Sequence, residues 1–240
     1  MKRIVFLGAP DKSHLLLVLG KLLSAMELKV LLVDSTLTQG IQSYLPDSDY
    51  RAPVREFEGI DIASGFITLD QLERHLGQQI AAWDYDVLLL DTDHTEFVKG
   101  RDLPAYDRRV WCSSFGRLHL QRNADLMQRL CLHEAEGKPL SFYKMLTSLV
   151  PVSVTEAYLD ELLPSHHFQW EDAVFRFTLD ERDASVELDN QHHGRLDVRR
   201  LTGNYRRNVL NMAEQLLEWD ERTVQQAWKR LRKVRIRGRH

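Results

Sequence analysis

The sequence predicts an α/β protein with a doubly wound, mostly parallel sheet and helices on both faces. Three apolar runs, at residues 3–7, 29–34 and 86–91, have the length and composition of buried strands. Residues 13–28 follow the first run and consist almost entirely of helix-forming residues. This fold class is expected because strands that alternate with helices are typical of parallel sheets built from crossover units.

The remaining elements follow the same alternation and are predicted from periodicity, turn residues and prolines. They are a short helix at 41–45, a loop at 46–59, strands at 59–63, 110–113, 142–150 and 173–177, helices at 69–82, 118–136, 155–163 and 199–219, and a charged excursion at the sheet edge over 181–200. We therefore expect one α/β domain over residues 1–220 and a basic tail over residues 221–240.

The composition is that of a globular protein. The chain has 240 residues, of which 43% are hydrophobic and 28% are charged, as in globular proteins with a full core. Its two cysteines, Cys112 and Cys131, form neither a disulfide framework nor a metal-binding spacing, which favours a reduced, cytoplasmic setting. No apolar run approaches the roughly 20 residues that a membrane-spanning helix needs.

The charge of the chain is distributed unevenly. Residues 222–240 contain eight Lys or Arg and no Asp or Glu, which leaves 24 basic and 35 acidic residues, a net charge of −11, in the rest of the chain. An acidic body disfavours a broad nucleic-acid-binding surface, whereas the basic tail suits an anionic partner.

The loop after the first strand is a candidate phosphate site. In open α/β sheets, ligands bind at the carboxyl ends of the strands, and this loop leads into a helix whose first amides attract anions. Lys12 and Ser13 form the Lys-Ser pair of a phosphate loop, and Asp34 and Asp91 end the two other apolar runs. Strands in α/β folds often end in polar residues for structural reasons alone, but the spacing of these three stretches favours a nucleotide site with magnesium.

These three stretches together resemble the ParA/MinD family of P-loop proteins. Residues 7–13 (Leu-Gly-Ala-Pro-Asp-Lys-Ser) are similar to its deviant phosphate loop, Lys-Gly-Gly-x-Gly-Lys-Thr. Residues 29–34 are similar to the strand before its first switch, and residues 85–92 to its Walker B strand. The resemblance implies a P-loop fold, ATP or ADP with magnesium as cofactor, a homodimer, and a protein partner at the switch face.

The resemblance also assigns roles to individual residues. The residues around the phosphates would be Gly8, Ala9, Pro10, Asp11, Lys12, Ser13 and His14. Lys12 would supply positive charge to the β- and γ-phosphates, and the magnesium ion or its waters would be held by Ser13, Asp34 and Asp91.

The departures from the family pattern concern hydrolysis rather than the fold. Leu7 replaces the signature lysine of the family, and Asp11 replaces the glycine before the main lysine. Thr36 replaces the second aspartate of the first switch, and Thr95 replaces the glycine that senses the γ-phosphate. A carboxylate about 4 Å from a phosphate costs about 4 kcal/mol at an effective dielectric constant of about 20, which offsets much of the attraction of Lys12. We therefore assign no catalytic residue. Such loops resemble those of the TadZ/CpaE-like branch, whose members position pilus machinery.

The basic tail has the pattern of an amphipathic helix. Trp228, Leu231 and Val234 are spaced three apart, and the basic residues around them are Lys229, Arg230, Arg232, Lys233, Arg235 and Arg237. MinD-like proteins end in an amphipathic helix that lies on anionic membrane, and this tail is similar. The alternatives are a solvated terminus, docking on the acidic body, and contact with nucleic acid.

Three hypotheses result. The first is a degenerate ParA/MinD-like localisation or scaffolding factor for a membrane-associated bacterial machine, with hydrolysis weak or lost, located in the cytoplasm or peripherally at the inner face of the membrane. The second is a working ATPase switch that a partner activates. The third, which the acidic body disfavours, is a DNA-partitioning protein.

Overall fold

An eight-stranded sheet with helices on both faces forms the centre of the computed structural model, which describes residues 1–46, 52–134, 139–161 and 168–233. The strands are β1 (Lys2–Leu7), β2 (Val30–Asp34), β3 (Val54–Phe57), β4 (Ile60–Ser64), β5 (Val87–Thr92), β6 (Arg108–Ser113), β7 (Leu140–Leu149) and β8 (Phe168–Thr178). The α-helices are α1 (Ser13–Ser24), α2 (Leu69–Leu76), α3 (Arg117–Leu130), α4 (Glu156–Glu161), α5 (Glu181–His193), α6 (Gly203–Leu217) and α7 (Glu221–Lys233).

The strand order is β3-β4-β2-β5-β1-β6-β7-β8, and all neighbours are parallel except β3 and β4. The predicted doubly wound, mostly parallel sheet is therefore confirmed. Because β2, β5 and β1 are consecutive in the sheet, their carboxyl ends meet at one edge. The strand register places Asp34 directly beside Asp91.

The central strand β1 is buried on both faces. Ile4 and Phe6 pack in a core with α1, α6 and α7, whereas Val5 and Leu7 pack in a second core with α2 and α3. A strand covered on both sides needs a continuous apolar run rather than an alternating pattern, which explains the composition of residues 3–7.

Two segments that the sequence predicted to be irregular are regular elements. Strand β3 lies in the predicted loop at 46–59, of which residues 47–51 lie outside the described part of the chain. It pairs with β4 across a Glu58–Gly59 turn in which both residues have positive φ, the geometry of a tight hairpin. The predicted excursion at 181–200 is also wrong, because most of it is α5. This helix is capped by Asp180, whose carboxylate accepts the amides of Arg182 and Asp183.

Some predicted boundaries shift. The helix predicted at 69–82 ends with α2, because Gly77 adopts the left-handed conformation at its C-terminus, and a 3₁₀ turn, Ile80–Ala82, follows. The helix predicted at 118–136 ends at Leu130, and the strand predicted at 173–177 is the last part of the longer β8. The described part of the predicted tail is α7, which packs on α1 and α6.

Candidate functional site

The candidate site lies where the loop from β1 to α1 meets the ends of β2 and β5. Gly8 begins this loop with a φ of 138°, and a Cβ atom at this position would lie 2.1 Å from the main-chain oxygen of Cys112. Only glycine tolerates both the backbone angle and the close approach of the neighbouring strand. The loop is therefore held against β6, and its remaining residues face the edge with Asp34 and Asp91.

Lys12 points into the protein rather than towards solvent, and only 2% of its surface is exposed. Its ammonium group donates to the main-chain oxygens of Gly8 at 2.7 Å and Pro10 at 2.9 Å, and it lies 2.9 Å from Oδ1 of Asp91. Burial raises the pKa of Asp91 to about 7, against the attraction of Lys12. The lysine expected to contact phosphates is thus the internal counter-ion of the β5 carboxylate.

Three amides of the loop already have acceptors within the protein. Those of Gly8 and Ala9 donate to the main-chain oxygen of Thr92 at 3.2 Å and to Oδ1 of Asn123 at 2.7 Å. The amide of Ser13, the first residue of α1, donates to Oδ1 of Asp11 at 2.8 Å. Pro10 has no amide hydrogen.

The carboxylate of Asp34 accepts hydrogen bonds from the segment that follows β2. One carboxylate oxygen accepts the amide and the hydroxyl of Thr36 at 3.0 and 2.6 Å, and the other accepts the amide of Ile41 at 3.1 Å. The Ile41 amide belongs to a 3₁₀ turn, Gly40–Tyr44, so Asp34 anchors this turn. Burial raises the pKa of Asp34, and these hydrogen bonds oppose the shift.

Of the three residues predicted to hold magnesium, Asp34 and Asp91 have internal roles, and the hydroxyl of Ser13 lies beneath the segment after β2. A Cβ atom on Gly40 would lie 2.5 Å from the hydroxyl oxygen of Ser13, so the 3₁₀ turn lies directly over that hydroxyl. Asp34 and Asp91 are engaged as described above. Among the residues that the structure describes, no group of three or more His, Cys, Asp or Glu side chains is arranged to hold a metal ion.

His14 contributes its side chain to the helix packing. The imidazole lies 3.0 Å from the amide nitrogen of Asn190 on α5 and 3.2 Å from the hydroxyl of Tyr205 on α6, and it stacks on Tyr44. Burial lowers the pKa of His14 to about 4, so the ring is neutral at pH 7. No feature of the local sequence indicates this network, because its members lie far apart in the chain.

His94 joins the loops after β2 and β5. Its Nδ1 accepts the amide of Glu96 at 3.1 Å, so its Nε2 carries the hydrogen and donates to the main-chain oxygen of Ser35 at 2.5 Å. The amide of Leu37 donates to Asp93 at 3.0 Å and forms a second link between the loops. Sequence reasoning missed this clamp.

A groove lies beside these two loops and α3. We call the surface formed by Leu37, Thr38, His94, Glu96, Arg122 and Arg129 the switch face. Leu37 is 70% exposed at its rim. Charges of both signs and an exposed apolar side chain suit contact with another protein.

A magnesium-nucleotide does not fit the loop in this conformation. The amides of Gly8, Ala9 and Ser13 are already bonded, and Lys12 is held by the protein. The pocket beside the loop, between α1, α5 and the ends of β7 and β8, carries carboxylates that disfavour an anionic ligand. Its carboxylates are Asp11, Asp180, Asp183 and Glu187.

Helix α7 turns its apolar side inward, so among the alternatives for the tail the described part docks on the body, and Trp228 and Leu231 are not exposed for membrane contact. Both are buried, together with Val224 and Ala227, against α1 and α6. Val234 lies outside the described residues. Arg222 in the first turn of the helix is exposed, as are the basic side chains in its last turns: Lys229, Arg230, Arg232 and Lys233. Across the described ranges, none of the helices combines the length and the apolar character required to span a bilayer.

Comparison with known structures identifies proteins that have a similar fold. No family sequence model and no curated protein sequence matches the chain. A chain of the MinC:MinD cell division protein complex from Aquifex aeolicus is 11% identical, with a TM-score of 0.64 over 92% of this chain and 97% of that one. A ParA family ATPase from Chlorobium tepidum is 16% identical, with a TM-score of 0.55 over 95% and 98%.

A third similar structure contains a bound nucleotide. The septum site-determining protein MinD of Pyrococcus horikoshii, complexed with Mg-ADP, is 12% identical, with a TM-score of 0.50 over 97% of this chain and 95% of that one. At these identities the likeness establishes the fold.

Proposed function

We propose that this chain, which has the ParA/MinD-type P-loop fold, is a localisation or scaffolding factor for a membrane-associated machine of the pilus, flagellum, secretion or division type. In this role, nucleotide hydrolysis is weak or lost. The protein acts as a homodimer, contacts a protein partner through the switch face and approaches anionic membrane through α7. The observation that carries this proposal is the commitment of Lys12 to Asp91 and two main-chain oxygens.

The groups that a phosphate-hydrolysing site needs are used here to hold the fold. Catalysis of phosphoryl transfer depends on charges and donors that are positioned for the transferred group. In this chain, Asp34 anchors the Gly40–Tyr44 turn, and Leu7, at the position of the signature lysine, is fully buried in the second core. A buried leucine cannot supply charge to a partner subunit, which supports loss of efficient hydrolysis.

The switch face supports the role of a binding protein. Its two loops are joined by the His94–Ser35 and Asp93–Leu37 hydrogen bonds, so their shape is defined without a ligand. A surface that is already ordered loses less conformational entropy when a partner binds.

The exposed cations of α7 support membrane contact without insertion of the helix. Four basic residues, at 229, 230, 232 and 233, lie on its outer side. Each contributes about 1 kcal/mol near an anionic surface, and a dimer doubles the number of contacts. The buried Trp228 and Leu231 keep the helix on the body, so the contact is electrostatic and weakens with salt.

Two measurements on the purified protein test the proposal. Steady-state ATP hydrolysis should be no faster than the uncatalysed background, with or without vesicles. The protein should sediment with phosphatidylglycerol vesicles at low salt but not with phosphatidylcholine vesicles. Reversal of the four cations in the last turns of α7 to glutamate should abolish sedimentation, whereas Gln226→Glu, an exposed site on the same helix, should reduce it only slightly.

The outcomes distinguish the alternatives. ATP turnover that Ser13→Ala removes would favour a working ATPase switch, because that variant leaves the buried Lys12–Asp91 pair in place. Binding to DNA with a steep salt dependence, lost on the same charge reversal, would favour the partitioning function. Failure to bind anionic vesicles would remove the membrane part of the proposal. A fluorescent fusion that stays evenly distributed in its host cell would contradict the localisation role.

A further inference from the structure

We infer that the Asp11 carboxylate is the resident anion of the phosphate loop, so that it occupies the anion-binding end of α1 and closes the site to nucleotide. The inference goes beyond the proposed localisation role and concerns the loop alone. It makes Asp11 a competitor for phosphate at the start of α1, in addition to the internal contacts of Lys12 and of the Gly8 and Ala9 amides.

The position of Asp11 is that of an anion at a helix N-terminus. Its Oδ1 accepts the amide of Ser13, the first residue of α1, at 2.8 Å. The first amides of a helix and its dipole attract phosphates and carboxylates alike. The carboxylate therefore competes with a phosphate for the same donor and adds a like charge beside it.

A second observation comes from Asp91. Its Oδ1 is buried and has no well-directed hydrogen bond within the described chain, although the ammonium of Lys12 lies 2.9 Å away. Lys12 also bonds two main-chain oxygens of the loop, which hold it inward. The site thus keeps one cation and one buried carboxylate that a bound magnesium-phosphate could rearrange.

The segment after β2 approaches Asp11 from one side, and the side chain of Asp11 remains exposed. A Cβ atom on Gly40 would lie 3.4 and 3.6 Å from the two carboxylate oxygens of Asp11 and 2.5 Å from the hydroxyl oxygen of Ser13. Asp34 holds this segment through the amide of Ile41. The switch segment therefore lies against the loop, and the Asp34 carboxylate orders it.

Calorimetric titration with ATP and magnesium tests the inference on the full chain. Wild-type protein should show no binding at millimolar nucleotide. Asp11→Asn keeps an acceptor for the Ser13 amide but removes the charge, and it should bind weakly. Asp11→Gly removes both and should bind at least about 100-fold more tightly than wild type, because one like charge about 4 Å from a phosphate is lost. Glu187→Gln, which removes a charge from the adjacent pocket only, is the matched control and should resemble wild type.

Hydrogen exchange supplies a readout that is independent of affinity. In wild type, protection of residues 35–44 should not change when ATP is added. Asp11→Gly should gain protection there when ATP is added. Gly40→Ala should lose protection without ATP, because the added Cβ lifts the segment from Ser13.

Equal nucleotide affinity in wild type and Asp11→Gly would overturn the inference, as would absence of binding in an Asp11→Gly variant that unfolds at the wild-type temperature. A Glu187→Gln variant that binds as tightly as Asp11→Gly would also overturn it, since the effect would then belong to the general negative potential. ATP turnover by wild type would contradict the proposed function, whereas failure of Asp11→Gly to bind would contradict this inference alone.

Discussion

His94 and Ser35 lie in different loops, yet Nε2 of His94 is 2.5 Å from the main-chain oxygen of Ser35. The same ring accepts the amide of Glu96, so one neutral imidazole fixes the paths of both switch loops. The conformation of the switch face therefore depends on this side chain.

We predict that His94→Ala loosens the switch face without unfolding the protein. The loss of two hydrogen bonds at a half-buried site should lower the free energy of unfolding by about 1–3 kcal/mol. Amides at 35–38 and at 96 should exchange faster, as measured by hydrogen exchange with mass spectrometry. His192→Ala, an exposed site on α5, is the control and should leave these amides unchanged. Unaltered exchange in His94→Ala would show that the loops are held by other contacts.

The Lys12–Asp91 pair should stabilise the fold. Lys12→Met leaves a buried carboxylate without its counter-ion and should lower the free energy of unfolding by about 3–5 kcal/mol. Lys12→Met combined with Asp91→Leu removes both charges and should restore most of that loss. The exposed pair Lys29–Asp84 is the control, and Lys29→Met should leave the stability nearly unchanged. Denaturant titration of the variants checks this, and a tolerated Lys12→Met would contradict a structural role for the pair.

His14 should make the protein less stable in acid. Its pKa in the folded state is about 4, because burial disfavours the charged ring, whereas the unfolded chain takes up the proton near pH 6.5. Between these two pH values the folded state thus binds fewer protons than the unfolded state. As pH falls through this range, the free energy of unfolding should decrease by about 3 kcal/mol in total.

The pKa of Asp91 is raised to about 7 in the folded state, so the contribution of Asp91 to stability increases as pH falls from about 7 to about 4. This change is opposite in sign to that of His14. The measurement is therefore the difference between wild type and His14→Gln in the pH dependence of unfolding. His14→Gln should remove the acid-dependent loss and leave the contribution of Asp91. A constant difference across the range would mean that His14 takes up its proton at its ordinary pKa. The charged groups near the ring are Asp11 and Glu187, and the network around it contains Tyr44, Tyr205 and Asn190.

Trp228 should be a core residue of the protein in solution. Trp228→Ala should cost about 3–5 kcal/mol, because the indole fills the space between α7, α1 and α6. Trp228→Phe should cost much less, since the indole nitrogen is buried without a hydrogen-bond partner in the described residues. Trp219→Ala, at a half-exposed site, is the control. Equal thermal stability of Trp228→Ala and wild type would mean that α7 leaves the body in solution.

The strand pattern and strand ends carried most of the information about the fold. Asp34 and Asp91 could be expected to meet because parallel strands present their carboxyl ends at one edge of the sheet. Their hydrogen bonds could not be expected, because these depend on the path of the segment at 35–41, which folds back over Ser13. The clamp through His94 depends on the same path.

The missed helix α5 has a different cause. Few of its side chains reach the core, so its sequence lacks the apolar period that identifies a helix. Its caps, Asp180 and Gly194, were the available signal. The tail is ambiguous for a physical reason: an amphipathic helix fits a membrane and a protein surface equally well, and only the apolar face left open by α1 and α6 decides between them.

The packing of α7 on α1 has a consequence for synthesis of the chain. One side of the helix in the first β-α-β unit is covered by residues 221–233, which leave the ribosome after all the described strands of the sheet. Until then, the apolar side chains of α1 that face α7 are uncovered and can associate with other nascent chains. Premature termination shortly before residue 221 therefore should yield an aggregating product, even though every strand of the sheet has been made.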